Sequence, residues 1–95
     1  MKHIDIYEPT DGREQTAEAL QIKLTVQSLQ KMGIDITIHN IWQEPNLYAE
    51  IHPLEQVILN DGVASLPVTI VGSEVFKKGG YPDYNELLKW SESRN

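Results

Sequence analysis

Two short runs of strict alternation, separated by one long helical stripe, constrain this chain more than any other feature. In His3-Ile4-Asp5-Ile6-Tyr7 the isoleucines fall on one side and His3, Asp5 and Tyr7 on the other, the period of two that a strand requires. Ile34-Asp35-Ile36-Thr37-Ile38-His39 repeats the pattern. Between them Ala19, Ile22, Val26 and Leu29 recur at i, i+3, i+7 and i+10, and Ala17, Leu20 and Leu24 widen the stripe. That spacing predicts an amphipathic helix of about 18 residues. Asp11 and Glu14 have the spacing of a capping box at its start, and Gly33 supplies a left-handed stop. Strand, helix and strand together predict a βαβ unit with parallel strands and a right-handed crossover.

The middle of the chain is less regular. Trp42-Gln43-Glu44-Pro45 reads as loop, and Asn46 can cap a short helix over 47–51. Pro53 disfavours helical backbone at His52, so a helix restarts there with Leu54, Val57 and Ile58 facing inward, and Asp61-Gly62 ends it. Leu66-Pro67-Val68-Thr69-Ile70-Val71 is apolar and β-branched. Gly72-Ser73 makes a two-residue turn, and Glu74-Val75-Phe76-Lys77 returns antiparallel. Gly79-Gly80-Tyr81-Pro82 breaks the chain. Asp83 with Glu86 forms a second capping box for a helix through Trp90, with Leu87, Leu88 and Trp90 as its apolar contacts and Lys89 and Arg94 near its carboxyl end. The expected order is β-α-β-α-β-β-α, an α/β fold without repeats or linkers.

Composition narrows the function classes. At 95 residues the chain has room for one domain against about 150 residues per domain, and 40% hydrophobic with 23% charged residues suits a globular protein. Fourteen acidic and eight basic side chains give a net charge of -6, which opposes non-specific attraction to nucleic-acid phosphates or anionic lipid. There is no cysteine, which excludes disulfides, thiolate metal sites, CxxC redox chemistry and a cysteine nucleophile. Met1-Lys2-His3-Ile4-Asp5-Ile6 carries too much charge for a signal-peptide core, and no run approaches the roughly 18 apolar residues of a membrane span. A small cytoplasmic domain is expected.

The element order, with a proline at the head of the third strand, resembles the thioredoxin-like fold. That resemblance implies a mixed four-stranded sheet flanked by helices and a cis Leu66–Pro67 peptide. More specifically, Ile4-Asp5-Ile6-Tyr7-Glu8-Pro9, Ser65-Leu66-Pro67-Val68-Thr69-Ile70-Val71, and Glu74-Val75-Phe76-Lys77-Lys78-Gly79-Gly80-Tyr81-Pro82 with Glu86-Leu87 resemble the ArsD family. Those proteins are arsenical-resistance trans-acting repressors that also act as arsenic metallochaperones. The similarity covers nearly the whole chain and rests on the combination of these segments. It implies a homodimer, DNA-linked repression and docking on an arsenite-efflux ATPase. In the family the loop after the first proline carries a vicinal cysteine pair and a third cysteine shortly after, whose thiolates hold As(III), a soft ion that prefers sulfur. Laid in register from Pro9, those positions here are Gly12, Arg13 and Glu18. None replaces a thiolate, and Arg13 sets positive charge where a cation would sit. The cysteine-rich tail of longer members is also missing before Asn95. Fold and surface carry over by this resemblance; metalloid binding does not, and no cofactor is expected.

Several residues stand out as candidates, each beside a plainer reading. On the resembling fold, Tyr7, Thr10, Arg13 and the Leu66–Pro67 backbone gather at the mouth of the first loop. Free helix-start amides, Arg13 and a strand-like segment at Leu66 suit an anion or a peptide. A variant has the Tyr7 or Thr10 hydroxyl activating a bound thiol, as in glutathione transferases. The plainer reading has Asp11 and Glu14 occupying those amides and Tyr7 packed on the helix. His3, His39 and His52 lack metal-ligand spacing, with His3 and His39 at opposite ends of their strands, and read as surface histidines. Glu44, Glu50, Glu55 and Asp61 read as a solvated face. Lys77-Lys78 guards an edge strand or touches nucleic acid, although no helix-turn-helix signature is present. Trp42, Leu47, Tyr48, Ile51 and Leu54 make either a lid over the sheet or a partner surface. Taken together, these features describe a non-catalytic ArsD relative working through protein contacts. The alternatives are a small thiol-binding enzyme and a DNA-binding repressor without an inducer site.

Overall fold

The computed structural model describes residues 3–8, 16–40, 51–62 and 65–92. Their elements run β1 Ile4–Glu8, α1 Ala17–Lys31, β2 Ile36–Asn40, α2 His52–Asp61, β3 Val68–Val71, β4 Glu74–Lys78 and α3 Tyr84–Ser91. This is the order expected from the alternation and helical periods. The sheet runs β2-β1-β3-β4. β1 and β2 are parallel with Ile4 opposite Ile36, whereas β1–β3 and β3–β4 are antiparallel. The short helix over 47–51 and the loop at 42–45 fall outside the described residues, apart from Ile51.

Each face of the sheet holds its own core, because strand side chains alternate. On one face Ile4, Ile6 and Val71 meet Ile22, Val26 and Leu29 of α1 and Leu87 of α3. On the other, Tyr7, Val68 and Ile70 meet Leu54 and Val57 of α2. α1 is shorter than expected and differently capped. Thr16, not Asp11, is its N-cap: the Thr16 hydroxyl accepts from the Ala19 backbone N–H at 3.0 Å, and Asp11 and Glu14 lie outside the described residues. Leu20 and Leu24 do not widen its buried stripe but are 48% and 56% exposed. Leu24 lies two positions from both Ile22 and Val26, which at 100° per residue turns it about 160° away from the core. Gly33 follows α1 at φ 87°, the left-handed conformation expected there.

The carboxyl-terminal half is held by polar contacts that the apolar pattern did not announce. α3 opens on the full Asp83–Glu86 capping box. In the β3–β4 ladder the register slips between Thr69 and Ile70, so Lys77 opposes Thr69 while Val75 opposes Ile70. This bulge turns Phe76 and Lys77 toward the same helix. Phe76 meets Trp90 edge-on at 5.6 Å, and Lys77 donates to Glu86 at 2.8 Å. Lys78 returns to the opposite face and pairs with Asp61 of α2.

Thr69 is fully buried, and among the described residues its hydroxyl has no hydrogen-bond partner. Thr69→Val keeps the branched shape and removes the desolvated oxygen. We expect a gain of about 1 kcal/mol, read as a rise of about 4–8 °C in the thermal midpoint of a domain this small. A lower midpoint would show that the hydroxyl is bonded after all.

Candidate functional site

The first strand ends on a half-buried carboxylate. Glu8 closes β1, and its Oε2 accepts from the Tyr81 hydroxyl at 3.0 Å. Burial first, then the Glu8 carboxylate, pushes the Tyr81 pKa up, so this phenol is a proton donor to Glu8 rather than a base. Tyr81 is brought there by the turn before it. Gly79, at φ 79°, donates its N–H to the carbonyl oxygens of both Ser65 and Pro67, which draws the Gly79-Gly80 turn onto the start of β3. The Leu66–Pro67 peptide is cis. Beside Tyr81, residues Glu18, Gln21 and Thr25 of α1 face Asp83 and Tyr84 across an open cleft of ≈ 520 Å³. Its walls mix hydroxyls, amides, carboxylates and two phenol rings with the aliphatic Ile22 and Pro82, a surface suited mainly to polar contacts.

The expected site residues divide. Tyr7 and Leu66 do come together, yet in the core under α2 rather than at an open mouth: they are 2% and 6% exposed and share contacts with Leu54 and Val68. The Tyr7 ring stacks on His39, its register partner, at 4.8 Å. Ile51 precedes α2 and packs at the margin of that same cluster. Glu18 sits exposed in the first turn of α1. Thr10, Gly12, Arg13, Trp42, Leu47 and Tyr48 lie outside the described residues.

The histidines require a correction. His3 and His39 do lie at opposite ends of their strands, His3 just before β1 and His39 near the end of β2, but they are not isolated surface groups. Both place Nε2 against Asp5 Oδ1, at 2.8 and 2.7 Å, and His3 Nδ1 contacts Asp35 Oδ2 at 2.7 Å. The parallel register is the reason. Asp5 and Tyr7 share a face, Tyr7 pairs with His39, and Asp5 is therefore diagonal to His39 and two residues from His3. These are hydrogen-bond lengths, and among the described residues no group of three His, Cys, Asp or Glu side chains is arranged to hold a metal ion. Sequence spacing missed both this cluster and the Glu8–Tyr81 contact, because each joins residues whose proximity depends on strand register or on a turn. The only advance signal was the shared face of His3, Asp5 and Tyr7.

Comparison with known proteins identifies the family of the chain. The family model described as arsenical resistance operon protein ArsD matches residues 1–95. The chain belongs to the ArsD family. An ArsD relative, the arsenical resistance operon trans-acting repressor of Escherichia coli, is 29% identical over 65 residues, which cover 68% of this chain and 54% of that protein. The chain thus spans about half the length of that ArsD repressor. A solved ArsD structure, the arsenical resistance operon trans-acting repressor from Bacteroides vulgatus ATCC 8482, is 30% identical, with a TM-score of 0.83. That match covers 95% of this chain and 92% of the other. Within this ArsD chain, Glu18 is the one position of the expected cysteine triad among the described residues, and it contributes a carboxylate to the rim of the cleft.

Proposed function

We propose that this chain is an ArsD-family regulatory and protein-interaction domain that carries no metalloid of its own. One observation carries the reading: a family otherwise identified with arsenical resistance is represented here by 95 residues without a cysteine. As(III) prefers soft sulfur donors, and Gly12, Arg13 and Glu18 offer hydrogen, guanidinium and carboxylate in their place. What remains for function is surface. The names of the two relatives make each a trans-acting repressor, which supports a role on operator DNA or through a protein partner. The family resemblance adds a cytoplasmic homodimer and an arsenite-efflux ATPase as the protein partners proposed here. The acidic balance of -6 favours the protein partners over DNA, since phosphate binding draws on clustered Lys and Arg. Lys77 and Lys78 are already committed to Glu86 and Asp61. A non-enzymatic role is supported by Tyr7, whose ring is enclosed where a thiol-activating hydroxyl would need access.

Isothermal titration of the chain with arsenite tests this reading. We expect no heat beyond dilution. Saturable binding at micromolar concentration and unit stoichiometry would overturn it. A salt-dependent gel shift with operator DNA would instead move the role from protein contacts to DNA.

A further inference from the structure

We infer that His3 is held as an imidazolium and acts as a proton-operated clasp that fastens the edge strand β2 to β1. The argument begins with hydrogen-bond inventory. A neutral imidazole has one donor nitrogen and one acceptor, whereas a carboxylate only accepts. Both ring nitrogens of His3 lie against carboxylate oxygens, Nε2 on Asp5 at 2.8 Å and Nδ1 on Asp35 at 2.7 Å. Both contacts are satisfied only when both nitrogens carry hydrogen. The neutral ring would turn a lone pair toward one of the carboxylates.

The surroundings support the charge. Asp5 comes from β1 itself and Asp35 from the turn leading into β2. His39, from the far part of β2, donates to the same Asp5 oxygen and lies flat on Tyr7. The β3–β4 turn meets His3 through backbone, Gly72 N–H donating to the His3 carbonyl at 3.0 Å. Among the described residues two carboxylates thus face His3, against one other imidazole. Partial burial works against the charge, but the hydrogen bonds and fields of Asp35 and Asp5 outweigh it and hold the His3 pKa above the ordinary 6.5.

The geometry gives the clasp its purpose. Among the described residues β2 is an edge strand, paired only with β1. His3–Asp35 ties its beginning and Asp5–His39 its end, so one charged ring and one shared carboxylate pin both ends of the strand. Because the folded pKa lies above the unfolded one, the stabilisation is complete below about pH 6.5 and is lost as pH rises through the folded value. Proton loss releases β2 first, since among the described residues no strand holds it on the other side.

Nitrogen-detected NMR of the imidazoles through a pH titration tests this. We expect both His3 ring nitrogens to show imidazolium shifts at pH 6, with a midpoint above 6.5. The Ile36–Asn40 amides should move in step with it. The thermal midpoint should fall from pH 6 to 8.5 in the native chain and flatten in His3→Gln. Asp35→Asn, an exposed change that leaves the core intact, should return the His3 midpoint toward 6.5. A His3 midpoint at or below 6.5 overturns the clasp, as does one that Asp35→Asn leaves unmoved or a pH slope that survives in His3→Gln.

Discussion

Leu54→Ala is expected to destabilise the protein by about 3 kcal/mol, within the range for emptying a buried leucine site. Leu54 is fully buried beneath α2, where it touches the cluster of Tyr7, Leu66, Val68 and Ile70. Cutting it back to a methyl group removes transfer energy and leaves a void that strands on a fixed ladder cannot close. A domain of this size has total stability of the order of 5–15 kcal/mol, so the loss is a large fraction of the whole. The thermal midpoint should fall by about 12–24 °C. Leu59 provides the internal control. It lies five residues along the same helix but is 71% exposed, and Leu59→Ala should change stability by less than about 0.5 kcal/mol. Equal effects at the two sites, by thermal or urea unfolding, would contradict the packing of α2 on this face.

The second large effect is a gain. The combined Gly12→Cys, Arg13→Cys and Glu18→Cys variant should bind arsenite under reducing conditions where the native chain gives no heat. A dissociation constant of about 1 μM would correspond to about -8 kcal/mol created by three side chains. The substitution supplies soft thiolate donors and removes the guanidinium that repels a cation. Glu18 already stands exposed in the first turn of α1, where the amino-terminal end of a helix favours a thiolate. Omitting any one cysteine should weaken binding sharply, since three thiolates saturate the ion. A triple variant that remains silent in calorimetry would show that the register counted from Pro9 does not superpose on the metalloid loop of the family.

The order of elements, the parallel β1–β2 pair and the Asp83–Glu86 cap were all legible from local periods, because each depends on residues close in sequence. The errors arose where local rules compete. Leu20 and Leu24 satisfy a helical stripe when counted with Ala17, but the stripe that reaches the sheet is centred on Ile22, Val26 and Leu29. The slip at Thr69/Ile70 breaks the alternation that a strand pattern assumes, so Phe76 and Lys77 turn to one side although they are neighbours. The Asp5 cluster needed register, which no spacing within β1 or β2 reveals. Of the residues expected at the first-loop mouth, Tyr7 and Leu66 lie in a closed core, which no local pattern reveals, since burial follows from where α2 lands.

The position of β1 has a consequence for synthesis. Of the four described strands it is made first, yet it lies inside the sheet, with β2 on one side and β3 on the other. A ribosome therefore releases the β1–α1–β2 segment with one whole edge of β1 open until Val68–Val71 has emerged. Unpaired edges of this kind invite association between chains. The nascent protein is thus most vulnerable midway through translation, and its protection comes from residues not yet made.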